Sequence, residues 1–505
     1  MWLLDALYNY RDSKKTAVIH NGEKTSFGEL WKESEAVAGF LESHHLADNK
    51  TPVVIYGNKE TDIIAVMHGA LKSGLAYVPV DTSYPLERLE KIMGQVGAEV
   101  LFNFSDIEVT REGCQVVNAD QLHQIYEEYK DFQSNSQDWV SEDDICYILF
   151  TSGSTGEPKG VPIRKRNIVN FVEWAKGFAV DKLDSIEQAC ALNQVSYSFD
   201  VSVFALYLYL SEGISIFSLD RNTVADPQKM YSQLAKSHIS FWVSTPAFAE
   251  ICCMEDTFNK KLIPSLRKCI VAGEVLTKKL VCKLWNRFPE LQIYNGYGPT
   301  ECTVLLSACE IDKAMLEIEE ALPIGHLLPD AQYELLNTSV IDGKNVGELA
   351  VVSRSVGGEY FRNLQKSKEK FWLDSQTGNY GYRTGDLIYV QGDLLYYVGR
   401  IDSQIKLHGY RIELDDISQN LDKLDYVRNA VVLPVNVDNS VDYLAAFVKL
   451  RGALNISKLK MMIKVKKDLG LMVPSYMVPK KIIFVDEFPL NVNGKIDRKK
   501  LMERL

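Results

Sequence analysis

Between residues 24 and 100 the apolar positions switch repeatedly between two spacings. From Ser26, SFGELWKESEAVAGFLESH places apolar residues at helical spacing and sets Glu29 three residues after Ser26, the arrangement of a capping box. TPVVIYG then reads as a short buried strand, TDIIAVMHGALKSG as a helix ended by Gly74, and LAYVPVD as the next strand. Strand and helix in alternation predict a mostly parallel sheet covered by helices. CYILF (146–150), GISIFSL (213–219), ISFWVST (239–245), CIVAG (269–273) and QIYNGYG (292–298) extend the pattern, each closing in small or turn-forming residues. Ligands of open α/β sheets sit in the crevice beyond the strand C-termini, so several separate loops are placed to converge. From about Asp330 the texture changes. YELL, GELAVVS and LIYVQGDLLYYVGR alternate with glycine turns and predict an antiparallel, β-rich subdomain. Beyond Arg400 a mixed α+β segment runs to a final helix, DRKKLMERL. The expected architecture is a large α/β domain over 1–401 and a small α+β domain over 402–505.

Composition narrows the class. Of 505 residues, 46% are apolar and 24% charged, ordinary globular values that exclude a disordered or collagen-like chain and supply a large core. The net charge of −11 would repel nucleic acid and anionic membrane as a whole. The charge is uneven: 18 basic residues face 13 acidic ones from Asp402 onward, against 38 and 54 before it. Nine scattered cysteines without CxxC or Cys/His zinc spacing point to reduced thiols in a cytoplasmic protein. The opening MWLLDALYNYRDSKK lacks a basic region before its apolar run, and Asp5 interrupts that run too early for a signal peptide. No run of about 18 uncharged apolar residues occurs, so no membrane insertion is expected. A monomer is expected.

TSGSTGEPKG (151–160) directly follows the strand CYILF. Its glycines open backbone conformations closed to other residues. Thr151, Ser152 and Thr155 offer hydroxyls, Gly153 a bare backbone, and Lys159 a positive charge, a set able to wrap a polyphosphate. It is not a Walker A loop, because Lys159 follows a proline and precedes a glycine. Taken alone it also reads as a solvated Ser/Gly linker.

The loop resembles the signature of the adenylate-forming enzymes, which include acyl- and aryl-CoA synthetases and the adenylation domains of peptide synthetases. NGYGPTE (295–301), GELAV (347–351), YRTGDL (382–387), GRIDSQIKLHGYRIEL (399–414) and NGKIDRKKL (493–501) match further motifs in the same order. The resemblance implies ATP-dependent activation of a carboxylate to an acyl-adenylate with release of pyrophosphate, then transfer to a thiol. It implies an ATP site formed by Thr151, Ser152, Gly153, Thr155, Lys159, Asn295, Gly296, Tyr297, Gly298, Pro299, Thr300, Asp386, Tyr397, Val398, Gly399, Arg400 and Lys495. Within it, Tyr297 would stack on adenine, Thr300 would contact the α-phosphate, and Glu301 would hold Mg²⁺, a hard cation that wants a carboxylate. Asp386 would bind both ribose hydroxyls, which needs two acceptor oxygens. Lys495 would bridge the substrate carboxylate and the α-phosphate, where a fixed cation offsets the repulsion of two anions. Thr300, Glu301 and Lys495 are the expected catalytic set. Asp402 resembles the hinge on which the small domain rotates between the two steps, bringing Gly409 near the thiol's path. His408 stands where many relatives carry arginine, and its role is left open.

Asp200 lies inside the apolar segment VSYSFDVSVFALYLYL (195–210). A buried carboxylate needs a partner; an internal cation and the cap of a helix beginning there are the plain alternatives. By resemblance to the amino-acid adenylation domains, Asp200 would grip a substrate ammonium, which favours an amino acid over a fatty acid. Cys269 and Val304 match positions near the substrate side chain, and both also read as core residues. No phosphopantetheine attachment site is present in the chain. The resemblance is nearest to stand-alone members that load D-alanine on a separate, acidic carrier protein bearing phosphopantetheine, for the decoration of lipoteichoic acid. The basic C-terminal part would suit such a carrier. Another amino- or aryl-acid activating enzyme, an acyl-CoA synthetase and a non-enzymatic nucleotide-binding scaffold remain the alternatives.

Overall fold

The structure is a computed structural model that describes residues 2–153, 157–180, 188–402, 404–407, 410–437, 440–452, 456–489 and 496–505. Thr155, His408, Gly409 and Lys495 therefore lie outside the described residues. The chain divides into two compact units, one of Met1–Thr82, Gln95–Leu149 and Gly160–Gly399, the other of Ser83–Gly94, Phe150–Lys159 and Arg400–Leu505.

Three sheets lie in the first unit, apart from the strand ends Phe150, Thr151, Lys159 and Arg400. Nine strands form the largest, in the order His326–Leu327, Ser307–Glu310, Gln292–Tyr297, Lys268–Ala272, Phe241–Ser244, Cys190–Asn193, Ser215–Ser218, Thr16–His20 and Glu23–Ser26. The pairs from Gln292–Tyr297 across to Thr16–His20 are parallel, and the pairs flanking them are antiparallel. Six strands form a second sheet, ordered Gln115–Asn118, Val100–Asn103, Val53–Gly57, Tyr77–Asp81, Ile145–Thr151 and Lys159–Arg164, its first five joined by parallel pairs. The third is the expected antiparallel element, Gln332–Ile341, Lys344–Val352, Tyr380–Gln391 and Phe371–Leu373, with Leu394–Arg400 also paired to the long strand.

Local chemistry accounts for the helix ends. Ser26 caps the helix Phe27–Ser43: its hydroxyl accepts from the Glu29 amide at 3.2 Å and its amide donates to the Glu29 carboxylate at 2.7 Å. These bonds hold the Glu29 carboxyl below its usual range. The helix Asp62–Lys72 is buried nearly all round, from Ile63 to Lys72. Gly74 follows at φ +69°, where a Cβ would also lie 2.8 Å from the Asp138 carbonyl oxygen. Only glycine meets both demands.

The apolar residues of the nine-stranded sheet fall into two cores by alternation. Ala191, Ile216, Val243, Ile270 and Ala272 join the core shared with the six-stranded sheet. Their neighbours Cys190, Phe217, Trp242, Cys269 and Val271 join a separate core under the helices Pro227–Lys236 and Lys278–Arg287.

The second unit has its own core. A hairpin of Gln404–Leu407 and Tyr410–Glu413 leads to the helix Leu414–Asp422, and Val427–Val437 pairs antiparallel with Ser440–Leu450, which Lys481–Phe484 joins in parallel. Ile412, Ile417, Leu421, Val432 and Ala446 fill the interior. The final helix is shorter than the sequence suggests, Arg498–Met502, with Leu501 buried against Val431 and Phe447. None of the helices among the described residues is long and apolar enough to cross a membrane. All nine cysteines are free.

Lys72 and Glu35 form a buried pair at 2.9 Å in the first unit, with the ammonium 3.1 Å from the centre of the Trp31 ring. Burial pushes the ammonium's pKa down and Glu35 pulls it back up. We predict that Lys72→Met costs about 3–5 kcal/mol in urea unfolding by stranding the Glu35 charge, and that Glu35→Leu added to it recovers most of the loss. His68, one turn before Lys72, is buried, and desolvation holds its pKa down to about 3. The unfolded chain then binds one more proton than the folded one between about pH 6.5 and 3, so this residue removes stability as pH falls through that window, at up to about 1.4 kcal/mol per pH unit. The acid limb of a His68→Leu stability–pH curve is expected to be shallower there than that of the parent.

Candidate active site

The first unit holds Asp200, Cys269, Asn295 to Glu301, Val304, Asp386 and Tyr397 to Gly399. The strand Gln292–Tyr297 brings Asn295, Gly296 and Tyr297 to its C-terminal end. Asn295 donates to the Pro323 carbonyl at 2.7 Å and is buried. The chain then passes Gly298 and Pro299 into a single 3₁₀ turn, Thr300–Cys302. A Cβ on Gly298 would sit 2.6 Å from Val304 O and from Leu305 Cα, so the return of the chain past this point requires glycine. Thr303 and Val304 follow at φ +58° and +69°. For β-branched residues that is strained backbone, costing on the order of 1–3 kcal/mol each. The Thr303 hydroxyl, bonded to the Ser355 carbonyl at 2.7 Å, helps to hold it.

Two carboxylates are buried beside this loop, each met by a tyrosine. Asp386, on the long strand Tyr380–Gln391, accepts from the Tyr297 hydroxyl at 2.6 Å. Its amide bonds the Thr384 hydroxyl at 3.0 Å, and the Gly385 amide donates to Glu348 at 3.2 Å. Glu348 also meets Arg383 at 2.6 Å. The turn that presents Asp386 is thus built from the GEL and YRTGDL segments together. Glu301 is wholly buried; its carboxylate accepts from the Tyr360 hydroxyl at 2.8 Å and its carbonyl from the Gly357 amide at 2.9 Å. Tyr397 lies with its ring centre 6.4 Å from that of Tyr297, and Val398 beside it is exposed. Tyr360 had no motif to flag it; its signal is a lone tyrosine in GGEYF, in the stretch after GELAV.

Asp200 begins a short 3₁₀ turn, Asp200–Ser202, that passes into a π-helical stretch, Phe204–Tyr209. No regular α-helix starts there for it to cap. Asp200 is buried, and its charge helps to raise the pKa of the Tyr147 phenol, after the larger effect of burial. Val304 is buried in the core that also holds Tyr147, Val201, Tyr297 and Ala272. Cys269 is placed elsewhere. It is fully buried in the core on the other face of the sheet, among Trp242, Cys253 and Leu280, and desolvation pushes its thiol pKa up. Strand alternation is the reason: on Lys268–Ala272 the residues that share Val304's core are Ile270 and Ala272. Ala272, at the strand's end, lies in Val304's core, and counting by twos back from it separates that face from Cys269.

In the second unit the Ser152 hydroxyl donates to the Arg411 carbonyl at 3.0 Å and accepts from the Glu413 amide at 3.0 Å. Lys159 meets Glu413 at 3.4 Å, and Gln404 donates to the same carboxylate at 2.9 Å. Gly153 cannot be replaced without a clash, since a Cβ would fall 2.1 Å from the Glu157 carbonyl. The Thr151 hydroxyl is buried and unpartnered among the described residues, which leaves it open to an oxygen of a bound group. Arg400 and Asp402 form a bidentate pair at 2.7 and 2.8 Å.

Among the described residues no three His, Cys, Asp or Glu side chains gather as a metal cage. A lone buried carboxylate such as Glu301 instead fits a cation that takes its other ligands from phosphate and water.

These features, a parallel sheet with carboxylates and tyrosines at its loop end and a separate small α+β unit, match one family. Residues 8–361 match the AMP-binding enzymes and residues 416–495 match the AMP-binding enzyme C-terminal domain, so the chain belongs to the AMP-binding enzyme family. Within it the chain groups with the D-alanine–D-alanyl carrier protein ligases. It is 36% identical over 486 residues to the one from Listeria monocytogenes serotype 4b (strain F2365), covering 95% of this chain and 94% of that one. It is 35% identical over 495 residues to that of Bacillus cereus (strain Q1), covering 97% and 96%. The protein is an AMP-forming, ATP-using ligase. Its fold is also that of a Vibrio cholerae adenylation domain in complex with glycyl-adenosine-5′-phosphate, at TM-score 0.81 and 17% identity over 99% of this chain and 96% of that one. A peptide synthetase protein with adenylation and PCP domains, bound to a vinylsulfonamide inhibitor, gives TM-score 0.81 and 21% identity over 100% and 84%.

Tyr297→Phe removes the hydroxyl that satisfies the buried Asp386 carboxylate. The loss expected is about 1.5–3 kcal/mol, measured as a lower urea midpoint at unchanged slope.

Proposed function

We propose that the protein activates D-alanine with ATP to D-alanyl-AMP and pyrophosphate, and then passes the D-alanyl group to the phosphopantetheine thiol of a separate acidic carrier protein, for D-alanylation of lipoteichoic acid in the cytoplasm. The observation that carries the amino-acid part is Asp200: a buried carboxylate, at the start of a short turn, in a chain related over nearly its whole length to D-alanine–D-alanyl carrier protein ligases. An ammonium ion suits such a carboxylate, since hydrogen bonds between two charged groups are the strong ones. A fatty acid offers no such group.

In the activation step an oxygen of the substrate carboxylate attacks the α-phosphorus. The O–P bond forms as the bond from the α-phosphorus to the β-phosphate oxygen breaks, and pyrophosphate leaves with the electron pair. Asp386 receives the ribose hydroxyls and Tyr297 lies along the adenine. Thr151, Ser152, Thr155 and Lys159 meet the phosphates, Thr300 meets the α-phosphate, and Arg400 adds a further ribose and phosphate contact. Glu301 would hold Mg²⁺, which supplies neutralising charge on the phosphates. Lys495 offsets the repulsion between carboxylate and phosphate as charge rearranges. Asp402 serves as the hinge that withdraws Lys495 before the thiol attacks the acyl carbon and AMP departs. Val304 and Ala272 leave room for a methyl group and exclude larger side chains. Exclusion suits this task better than grip, since each methylene is worth only about 1–3 kcal/mol of discrimination.

Pyrophosphate exchange measured side by side with D-alanine, L-alanine, glycine and a long-chain fatty acid is expected to be fastest with D-alanine; exchange led by the fatty acid removes the reading. Lys495→Ala is expected to lower exchange by at least about 100-fold, a loss of about 3 kcal/mol in the transition state, while ATP binding by calorimetry persists.

A further inference from the structure

Lys59 follows the strand Val53–Gly57 in the sequence GNKE, where a lysine ordinarily reaches solvent. Here it is only 1% exposed. Its ammonium donates to Asn193 Oδ1 at 2.8 Å and to the Val195 carbonyl at 2.5 Å, and stands 3.7 Å from the centre of the Tyr197 ring. Three donors are thus spent on two oxygens and one aromatic face. Among the described residues no carboxylate forms an ion pair with it; Asp81 and Glu60 act on it only through space. A desolvated cation without a contacting counter-ion costs several kcal/mol. The groups in contact with the ammonium all come from one short piece of chain, Asn193 to Tyr197.

That piece is itself bound into the approach to Asp200. Asn193 donates to the Tyr197 hydroxyl and to Ser218 Oγ, both at 2.9 Å. The Phe199 amide bonds the Ser196 carbonyl at 3.0 Å, and the Ser202 amide bonds the Phe199 carbonyl at 3.0 Å. Ser196 Oγ adds a second tether, donating to Asp81 at 2.7 Å, and Asn58 donates to the same oxygen at 2.9 Å. The loop Gly57–Glu60 and the end of the strand Tyr77–Asp81 therefore hold the segment that carries Asp200 from one side.

We propose that Lys59 is a positioning residue for the amino-acid subsite: its buried ammonium fixes the segment Asn193–Tyr197 in the one conformation that presents Asp200 to the substrate ammonium. The inference rests on the reading of Asp200 given above. A charge-assisted hydrogen bond is worth its full amount only in good geometry, so displacing Asp200 weakens its grip on the substrate ammonium. Tyr297 bonds Asp386 and Tyr360 bonds Glu301, on strands and turns apart from this segment. Lys59 should therefore act on amino-acid affinity and spare nucleotide affinity.

The test is the pair Lys59→Met and Tyr197→Leu, assayed by ATP–pyrophosphate exchange in the full-length enzyme, with Asp200→Asn in parallel. Lys59→Met keeps the length and removes the charge; Tyr197→Leu removes the face it rests on. Each is expected to raise the KM for D-alanine by about tenfold or more, with the KM for ATP within about twofold and kcat at saturating D-alanine little changed. A purely structural lysine would lower the melting temperature and the active fraction while leaving both KM values alone, and that result overturns the proposal. So does a parallel rise of both KM values. Where Lys59→Met does not fold, Tyr197→Leu decides by the same criteria. Asp200→Asn without effect on the KM for D-alanine sinks the reading of Asp200 and the proposal with it; Asp200→Asn raising that KM while folded Lys59→Met does not sinks the proposal alone.

Discussion

The hydrogen bond between Tyr297 and Asp386 ties two sheets of the first unit together. Tyr297 ends a strand of the nine-stranded sheet, and Asp386 sits on the long strand of the antiparallel one. Neither sheet alone presents a complete set of groups. A carboxylate buried to 2% exposure needs donors, and the phenol is one of them. Behind it, Thr384, Gly385, Glu348 and Arg383 fix the turn, so the aspartate's orientation is set by the GEL and YRTGDL segments acting as one network. Glu301 repeats the arrangement with Tyr360. In both cases a tyrosine hydroxyl helps a carboxylate stay buried.

Much of this could be read from the sequence, and the reasons are local. The capping box at Ser26 and Glu29 works through two bonds three residues apart, so it is visible in any window that contains both. The change to antiparallel pairing near Asp330 shows in the alternation itself. Asn295 to Glu301, Asp386 and the Ser/Gly loop stand out in the sequence because each lies in a run of consecutive motif residues, and the structure joins two of these runs through the Tyr297–Asp386 hydrogen bond.

What failed to show depended on partners far along the chain. Cys269 looked suitable by its size and its neighbourhood in the sequence, but its strand turns it to the opposite core, and Ala272 takes the side expected of it. The VSVFALYLYL run promised an ordinary helix at Asp200 and delivered a 3₁₀ turn followed by a π-helical stretch. Lys59 carried no signal, since nothing in GNKE tells a buried lysine from a solvated one. Its environment comes from residues more than 130 positions away.

Thr303 and Val304 both hold left-handed backbone in the stretch where the chain returns past Gly298. Side-chain size and backbone shape at Val304 are therefore not independent variables. Exchanging it for glycine would enlarge the neighbouring space and relax the main chain in the same stroke; exchanging it for a bulkier branched residue would narrow the space and tighten the main chain further. Any exchange of side chain at this point will move folding energy along with the local space, so a change in size there cannot be read apart from a change in strain.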